Sequence, residues 1–206
     1  MLGFESTLNF VVEEFVVTKV GRLVVGLSGA SGVVYGIRLL EVLQDRPDIE
    51  SHLVVSRGAL RTIELETDTT LADVEALADQ VHDAGDLAAS LSSGSFQTMG
   101  MVVAPCSMKT LSGIANSYSD NLLVRAADVT LKERRRLVLL PRETPLHLGH
   151  ARLIVRVIEM GAVVMPPVPA LYHRPKSVQA IIDHTVGRVL DMFGVENELV
   201  ERWSGG

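Results

Sequence analysis

Aromatic side chains are scarce in this 206-residue sequence: Phe, Trp and Tyr together make up 4% of it. Binders of single-stranded nucleic acid stack bases on such rings, so that class is disfavoured. An excess of positive charge is also missing. The net charge of −6 provides no global field to draw in nucleic acid. A single cysteine, Cys106, excludes an intrachain disulfide and agrees with a reducing compartment. No apolar run reaches the length that crosses a bilayer. What remains is 47% hydrophobic, enough to fill the core of one large α/β domain.

The apolar run Leu23-Val24-Val25-Gly26-Leu27 is too short for a helix and rich in β-branched residues. It leads into Ser28-Gly29-Ala30-Ser31-Gly32, and then Val34, Ile37, Leu40 and Leu43 recur at helical spacing. A strand, a tight small-residue turn and a helix expose backbone N–H groups where an anion is favoured. A turn that merely joins strand to helix would use the same small residues. Gly26, Gly29 and Gly32 read G-x-x-G-x-x-G, unlike the G-x-G-x-x-G of dinucleotide sites. The next strand, His52 to Val55, ends in Ser56 where a dinucleotide site carries an acid. A mononucleotide with one phosphate, such as FMN, fits better.

Strand and helix patterns then alternate to the end of the chain. The spacing predicts helices over Gly58–Glu66, Leu71–Gln80, Asn121–Glu133 and His147–Met160. Ser177 caps a last helix. Strands are expected at Met101–Pro105, Arg136–Leu140 and Ala162–Met165, and Ser90–Ser95 reads as a loop able to ring a phosphate. This is a single α/β domain, a three-layer Rossmann-like fold with a mostly parallel sheet. Its extent is 21–206. Residues 1–20 form an extension whose run Phe10–Val17 is broken by Glu13 and Glu14; no basic segment precedes that run, so it does not read as a signal peptide.

Cys106-Ser107-Met108-Lys109-Thr110 makes a second polar turn at a strand end, and two such turns meet at one crevice of a parallel sheet. Arg142-Glu143 follow a buried strand on the same side, where a carboxylate can do acid/base work. Lys132 ends a helix within a charge run of the kind that usually faces solvent. Arg188 lies beside the apolar face of the last helix. His147 and His150 stand three apart, as metal ligands do, but read as a cap and a surface residue. Cys106 has no base placed beside it and reads as a buried small residue.

Six segments together resemble the UbiX/Pad-type flavin prenyltransferases, within the homo-oligomeric flavin-containing cysteine decarboxylase fold. They are Ser28–Gly32; Leu65–Asp68; Pro105–Ser112; Arg125–Asp128 with Leu131–Arg134; Arg142–His147; and Tyr172–Pro175. The resemblance runs from about Arg22 to Trp203. It implies transfer of the dimethylallyl group of dimethylallyl phosphate to N5 and C6 of reduced FMN, without a metal. The prenylated FMN would serve a UbiD-type decarboxylase. It implies that Gly29, Ala30, Ser31, Ser56, Ser107, Met108, Lys109, Thr110 and Arg142 hold FMN. Tyr172, Arg188, Lys132 and Arg125 would hold the dimethylallyl phosphate. Glu143 would be the acid/base, grouped as catalytic with Lys132, Glu66 and Ser31. A cytoplasmic homo-oligomer, a dodecamer with sites at subunit contacts, is expected, with no nucleic acid and no membrane span. The alternatives are a flavin-dependent cysteine decarboxylase and a non-catalytic FMN-carrying subunit. Against the first, Val33–Arg38 contains no histidine and Ala104–Thr110 departs from a P-A-S-A-N-T segment. Against the second stands the presence of Lys132, Glu143, Tyr172 and Arg188 together.

Overall fold

The computed structural model describes residues 21–200 and 202; the expected extension 1–20 lies outside them. Six strands form one parallel sheet in the order β3-β2-β1-β4-β5-β6. They are β1 (Gly21–Leu27), β2 (Ile49–Val55), β3 (Gln80–His82), β4 (Gly100–Cys106), β5 (Arg136–Pro141) and β6 (Val163–Val164). Seven helices join them: α1 (Val33–Gln44), α2 (Arg57–Glu66), α3 (Leu71–Glu75), α4 (Met108–Ala115), α5 (Leu122–Lys132), α6 (Leu148–Glu159) and α7 (Val178–Met192).

Strand periodicity sorts the core into two layers. Leu23, Val25 and Leu27 of β1 point to one face, where Leu39 and Leu40 of α1, Ile63 of α2 and Val186 of α7 meet them. Val24 points to the other face, among Leu111 of α4, Leu123 of α5 and Val157 of α6. All seven residues of β4 are buried, as a central strand covered on both faces requires. The order reverses between β1 and β4. In an open parallel sheet that reversal opens a crevice beyond the carboxyl ends of the two strands.

One expected helix is corrected. The apolar spacing of Val74, Leu77, Ala78 and Val81 suggested a helix to Gln80, but α3 stops at Glu75 and β3 begins at Gln80. A Thr70–Asp73 capping box starts the short helix. Asp79 then accepts from Ser51 N at 2.8 Å and Ser51 Oγ at 3.0 Å, and its own N–H donates to Ser51 Oγ at 3.0 Å. Three bonds to β2 draw the chain out as an edge strand and override local periodicity. The other expected helices and strands are present, with ends shifted by up to three residues.

β2 and β3 also bring histidines together. His52, 3% exposed, is hydrogen-bonded through Nδ1 to His82 Nε2 at 2.9 Å. Its Nε2 has no hydrogen-bond partner and lies 3.8 Å from Glu50 Oε1. Burial holds the His52 pKa below the ordinary histidine value, against the pull of Glu50. A histidine favoured neutral in the folded chain gives its full stability above the unfolded value, about 6.5, and loses it as pH falls below that. Unfolding by denaturant is therefore expected to need less urea at about pH 5.5 than at about pH 7.5, and His52→Gln should shrink that difference. Equal midpoints for the native chain at the two pH values would contradict this.

Candidate active site

The buried hydroxyl of Ser28 joins the two polar turns. Ser28 Oγ donates to the Pro105 carbonyl at 2.8 Å and accepts from Ser107 N at 2.7 Å, while Ser28 N donates to the same carbonyl at 3.2 Å. The ends of β1 and β4 are thereby fixed side by side, and the turns that follow them open onto one cleft.

The third wall comes from the start of α2. A Cβ on Gly29 would lie 2.8 Å from Gly58 Cα, so the two backbones touch where only glycine fits. Ser56 caps α2 by accepting from Ala59 N, Ser107 caps α4 by accepting from Thr110 N, and Asn121 caps α5 by accepting from Val124 N. Each cap uses one donor; the first-turn residues Arg57 and Gly58 of α2 and Met108 and Lys109 of α4 line the cleft, whereas Leu122 N of α5 donates to the Ala84 carbonyl at 2.8 Å. Gly29, Ala30, Ser31, Ser56, Ser107, Met108, Lys109, Thr110, Arg142 and Glu143 all line this one cleft, of about 1490 Å³. These ten positions comprise the whole expected FMN set and the expected acid/base. Arg57, Asn116, Tyr118 and Asn121 also line it and were not singled out in the sequence. Asn121 carried a signal as the residue where a predicted helix begins; Tyr118 carried none.

The start of α1 is already taken. Glu66 Oε2 accepts from Gly32 N at 2.8 Å and from Val33 N at 3.2 Å, with Gly32 in the left-handed region at φ 97°. A carboxylate on that helix end opposes a phosphate at the same place. Glu66 thus takes two donors at the start of α1, while Gly29, Ala30 and Ser31 of the same turn line the cleft beside the starts of α2 and α4. Glu66, expected to be catalytic, is outside the cleft wall and holds the turn that carries Ser31.

Lys132, Arg125, Tyr172 and Arg188 are not brought to the cleft within one chain. Asn121 at the start of α5 lines it, and Lys132 is the last residue of that helix, about 16 Å away along its axis. Lys132 pairs with Glu133, which lowers the Glu133 pKa. Arg125 binds Asp128 at 2.9 Å and the Ser92 carbonyl at 3.2 Å. Arg188 sits one turn from the end of α7 and pairs with Asp191 at 2.8 Å. The Met192 carbonyl at the end of α7 accepts from Arg136, the first residue of β5, which sets that helix end at the N-terminal ends of the strands, opposite the cleft. Tyr172, 60% exposed, lies in the connection after β6, edge-on to His173.

Cys106 is fully buried, and burial pushes its thiol pKa well up, so it is a protonated core residue and no nucleophile. His147 caps α6 with Nδ1 accepting from Gly149 N at 3.0 Å, and His150 packs on its ring. Among the described residues no group of three or more His, Cys, Asp or Glu side chains is set to hold a metal ion. No helix among them is long and apolar enough to cross a membrane.

A family model described as Flavoprotein matches residues 17–202. The flavin prenyltransferase UbiX of Escherichia coli strain K12 is 63% identical over 186 residues, covering 89% of this chain and 98% of its own length. A dodecameric FMN-dependent UbiX-like decarboxylase from Escherichia coli O157:H7 superposes with a TM-score of 0.87 at 51% identity, over 89% of this chain and 100% of that one. The structure of AnUbiX (PadA1) in complex with FMN and dimethylallyl pyrophosphate superposes with a TM-score of 0.88 at 50% identity, over 90% of this chain and 98% of that one.

Ser28→Ala removes the partner of the Ser107 N–H and leaves the Pro105 carbonyl one donor short. An unpaired group of this kind costs roughly 1–3 kcal/mol. Thermal unfolding should show a lower midpoint and FMN titration a weaker affinity; unchanged affinity would mean that the two turns are aligned without this hydroxyl.

Proposed function

The chain belongs to the flavoprotein family, among its UbiX-type flavin prenyltransferases, and from that premise we propose how its residues divide the work. The substrates are reduced FMN and dimethylallyl phosphate. The product is FMN prenylated at N5 and C6, taken up by a UbiD-type decarboxylase, and the setting is a cytoplasmic homo-oligomer. One observation carries the reading: a single cleft at the switch point gathers Gly29–Ser31, Ser56, Ser107–Thr110, Arg142 and Glu143.

The residues fit a flavin mononucleotide. The Gly29–Gly58 contact leaves a cradle that any Cβ would fill, the open N-termini of α2 and α4 suit one phosphate, and Lys109 and Arg142 add positive charge. When bound, reduced FMN supplies the nucleophilic atoms and a π face for an allylic cation. Every other part belongs to the protein. Glu143, on the cleft wall after β5, holds or moves the proton that leaves the ring. Ser31 stands at the turn that Glu66 fixes through Gly32 and Val33.

Lys132, Arg125, Tyr172 and Arg188 grip the phosphate of the donor and stabilise its charge as the C–O bond breaks. We assign them to neighbouring copies. Their places outside the cleft of their own chain and the open form of that cleft support this, as does the dodecamer formed by the Escherichia coli O157:H7 relative. Their present ion pairs do not hold them back. The side chains of Lys132 and Arg188 are 46% and 45% exposed, and Asp191 keeps Arg202 as a partner when Arg188 leaves it.

Incubated anaerobically with reduced FMN and dimethylallyl phosphate, the protein should release phosphate and add one isoprene unit to the flavin mass. Unmodified flavin from folded, FMN-loaded protein would refute transfer from this donor, and both the cysteine decarboxylase and the passive carrier predict that result. The pyrophosphate in a parallel reaction distinguishes the donors; faster prenylation from it would overturn the monophosphate assignment.

Glu143→Gln should still release phosphate while forming the finished four-ring flavin about 100- to 10,000-fold more slowly. Lys132→Ala and Arg188→Ala should suppress phosphate release itself. The same deficit in both readouts for all three variants would contradict the division of roles.

A further inference from the structure

Helix α6 is apolar on two opposite sides, and a single chain covers only one of them. Its inner side packs Leu153, Ile154, Val157 and Met160 against the core beneath the sheet. Its outer side carries Leu148, Ala151, Val155 and Ile158, spaced three, four and three apart. Leu148, Val155 and Ile158 are 65%, 53% and 51% exposed. That spacing is the seam of a two-helix coiled coil, and a helix apolar all round is a buried helix.

The charges beside the seam indicate what covers it. With Leu148 and Val155 at the first position of successive heptads, Arg152 and Glu159 take the same flanking position one heptad apart. In an antiparallel pair of identical helices, that flanking position faces its own counterpart. Arg152 of one copy then meets Glu159 of the other, twice, about a twofold axis close to Val155. Among the described residues neither Arg152 nor Glu159 has an ion-pair partner within its own chain. The neighbouring Arg156 is engaged within the chain, donating to Asn116 Oδ1 at 2.9 Å. Asn116 and Tyr118 line the cleft, and Tyr118 is 68% exposed, so the seam is continuous with the cleft rim.

We propose that a second copy of this chain docks on α6, antiparallel helix against helix, with Leu148, Ala151, Val155 and Ile158 as the seam and reciprocal Arg152–Glu159 pairs as its register. The inference rests on the reading of the protein as a homo-oligomer and assigns one of its contacts. Burial of the apolar row supplies most of the attraction. The charge pairs select antiparallel over parallel, since a parallel pair would set Arg152 beside the partner copy's His147 and leave Glu159 unpaired with it.

Sedimentation velocity without added flavin or donor tests this apart from prenyl transfer, because it reads mass and not chemistry. The native chain should sediment as an oligomer. Val155→Glu should lower the assembly mass about twofold or more while circular dichroism stays native. Arg152→Glu should weaken assembly, and Arg152→Glu with Glu159→Arg should restore it. A native chain that sediments as a monomer would overturn the proposal. So would Val155→Glu assembling as the native chain does, which is the result expected if residues 1–20 or a different protein cover α6. Failure of the charge swap to rescue would overturn the antiparallel register. If Val155→Glu fails to fold, Val155→Cys replaces it: the native Cys106 is buried, so oxidation should link two chains through the new thiol alone. Absence of that link in the assembled protein would count against the twofold at Val155.

Discussion

The site depends on a hydroxyl that no solvent reaches. Ser28 ties the end of β1 to the end of β4 across the place where the strand order reverses. Parallel strands splay beyond their ends, and two turns leaving adjacent strands have no intrinsic reason to keep a fixed separation. Ser28 provides that reason by serving as donor to one turn and acceptor from the other. The Gly29–Gly58 contact then sets the start of α2 against the same turn, and Glu66 fixes it from behind by capping α1. Three helix starts and two strand ends are thus registered on one cleft before any ligand arrives, which is the preorganisation that anion binding and charge stabilisation require.

Within one chain the cleft and the expected donor-binding side chains are apart. The cleft offers small residues, backbone donors, Arg142 and Glu143, which suit a flavin and a proton transfer. Of the cations that suit a leaving phosphate, Lys132 ends α5, Arg125 in its first turn is bound to Asp128 and the Ser92 carbonyl, and Arg188 lies near the end of α7 at the opposite end of the strands. No side chain spans the length of an eleven-residue helix. Two-sided α6 makes the same point from another direction: the fold leaves apolar surface that a lone chain cannot bury. Separation of the cations from the cleft and incompletion of the surface both follow from helices running antiparallel to the strands, with one end at the cleft and the other far from it.

Much of the fold and of the cleft lining was legible in the sequence because it is local. The run Leu23–Leu27, the turn Ser28–Gly32 and the segment Cys106–Thr110 each carry strand, turn and helix signals within a few residues, and parallel topology then places them together. The β3 strand was missed because its cause, Ser51 gripping Asp79, spans 28 residues. The contact of Glu66 with Gly32 and Val33 was not legible because those partners lie more than thirty residues back. Lys132, Arg125, Tyr172 and Arg188 could be named by resemblance, yet their distance from the cleft is a property of the folded chain. Tyr118 gave no signal, being an exposed aromatic in a loop.

The central claim is that Glu143 and Lys132 act on the same donor from different chains. Co-expression of Glu143→Gln chains with Lys132→Ala chains tests it directly. Each variant alone should form the finished four-ring flavin at about a hundredth of the native rate or less. In a random equal mixture, roughly a quarter of the sites combine an intact Glu143 with an intact Lys132 from a neighbour, so about that share of native activity should return. A mixed assembly, verified as mixed by mass, that remains as inactive as either parent would show that the two residues must belong to one chain, and would contradict the account.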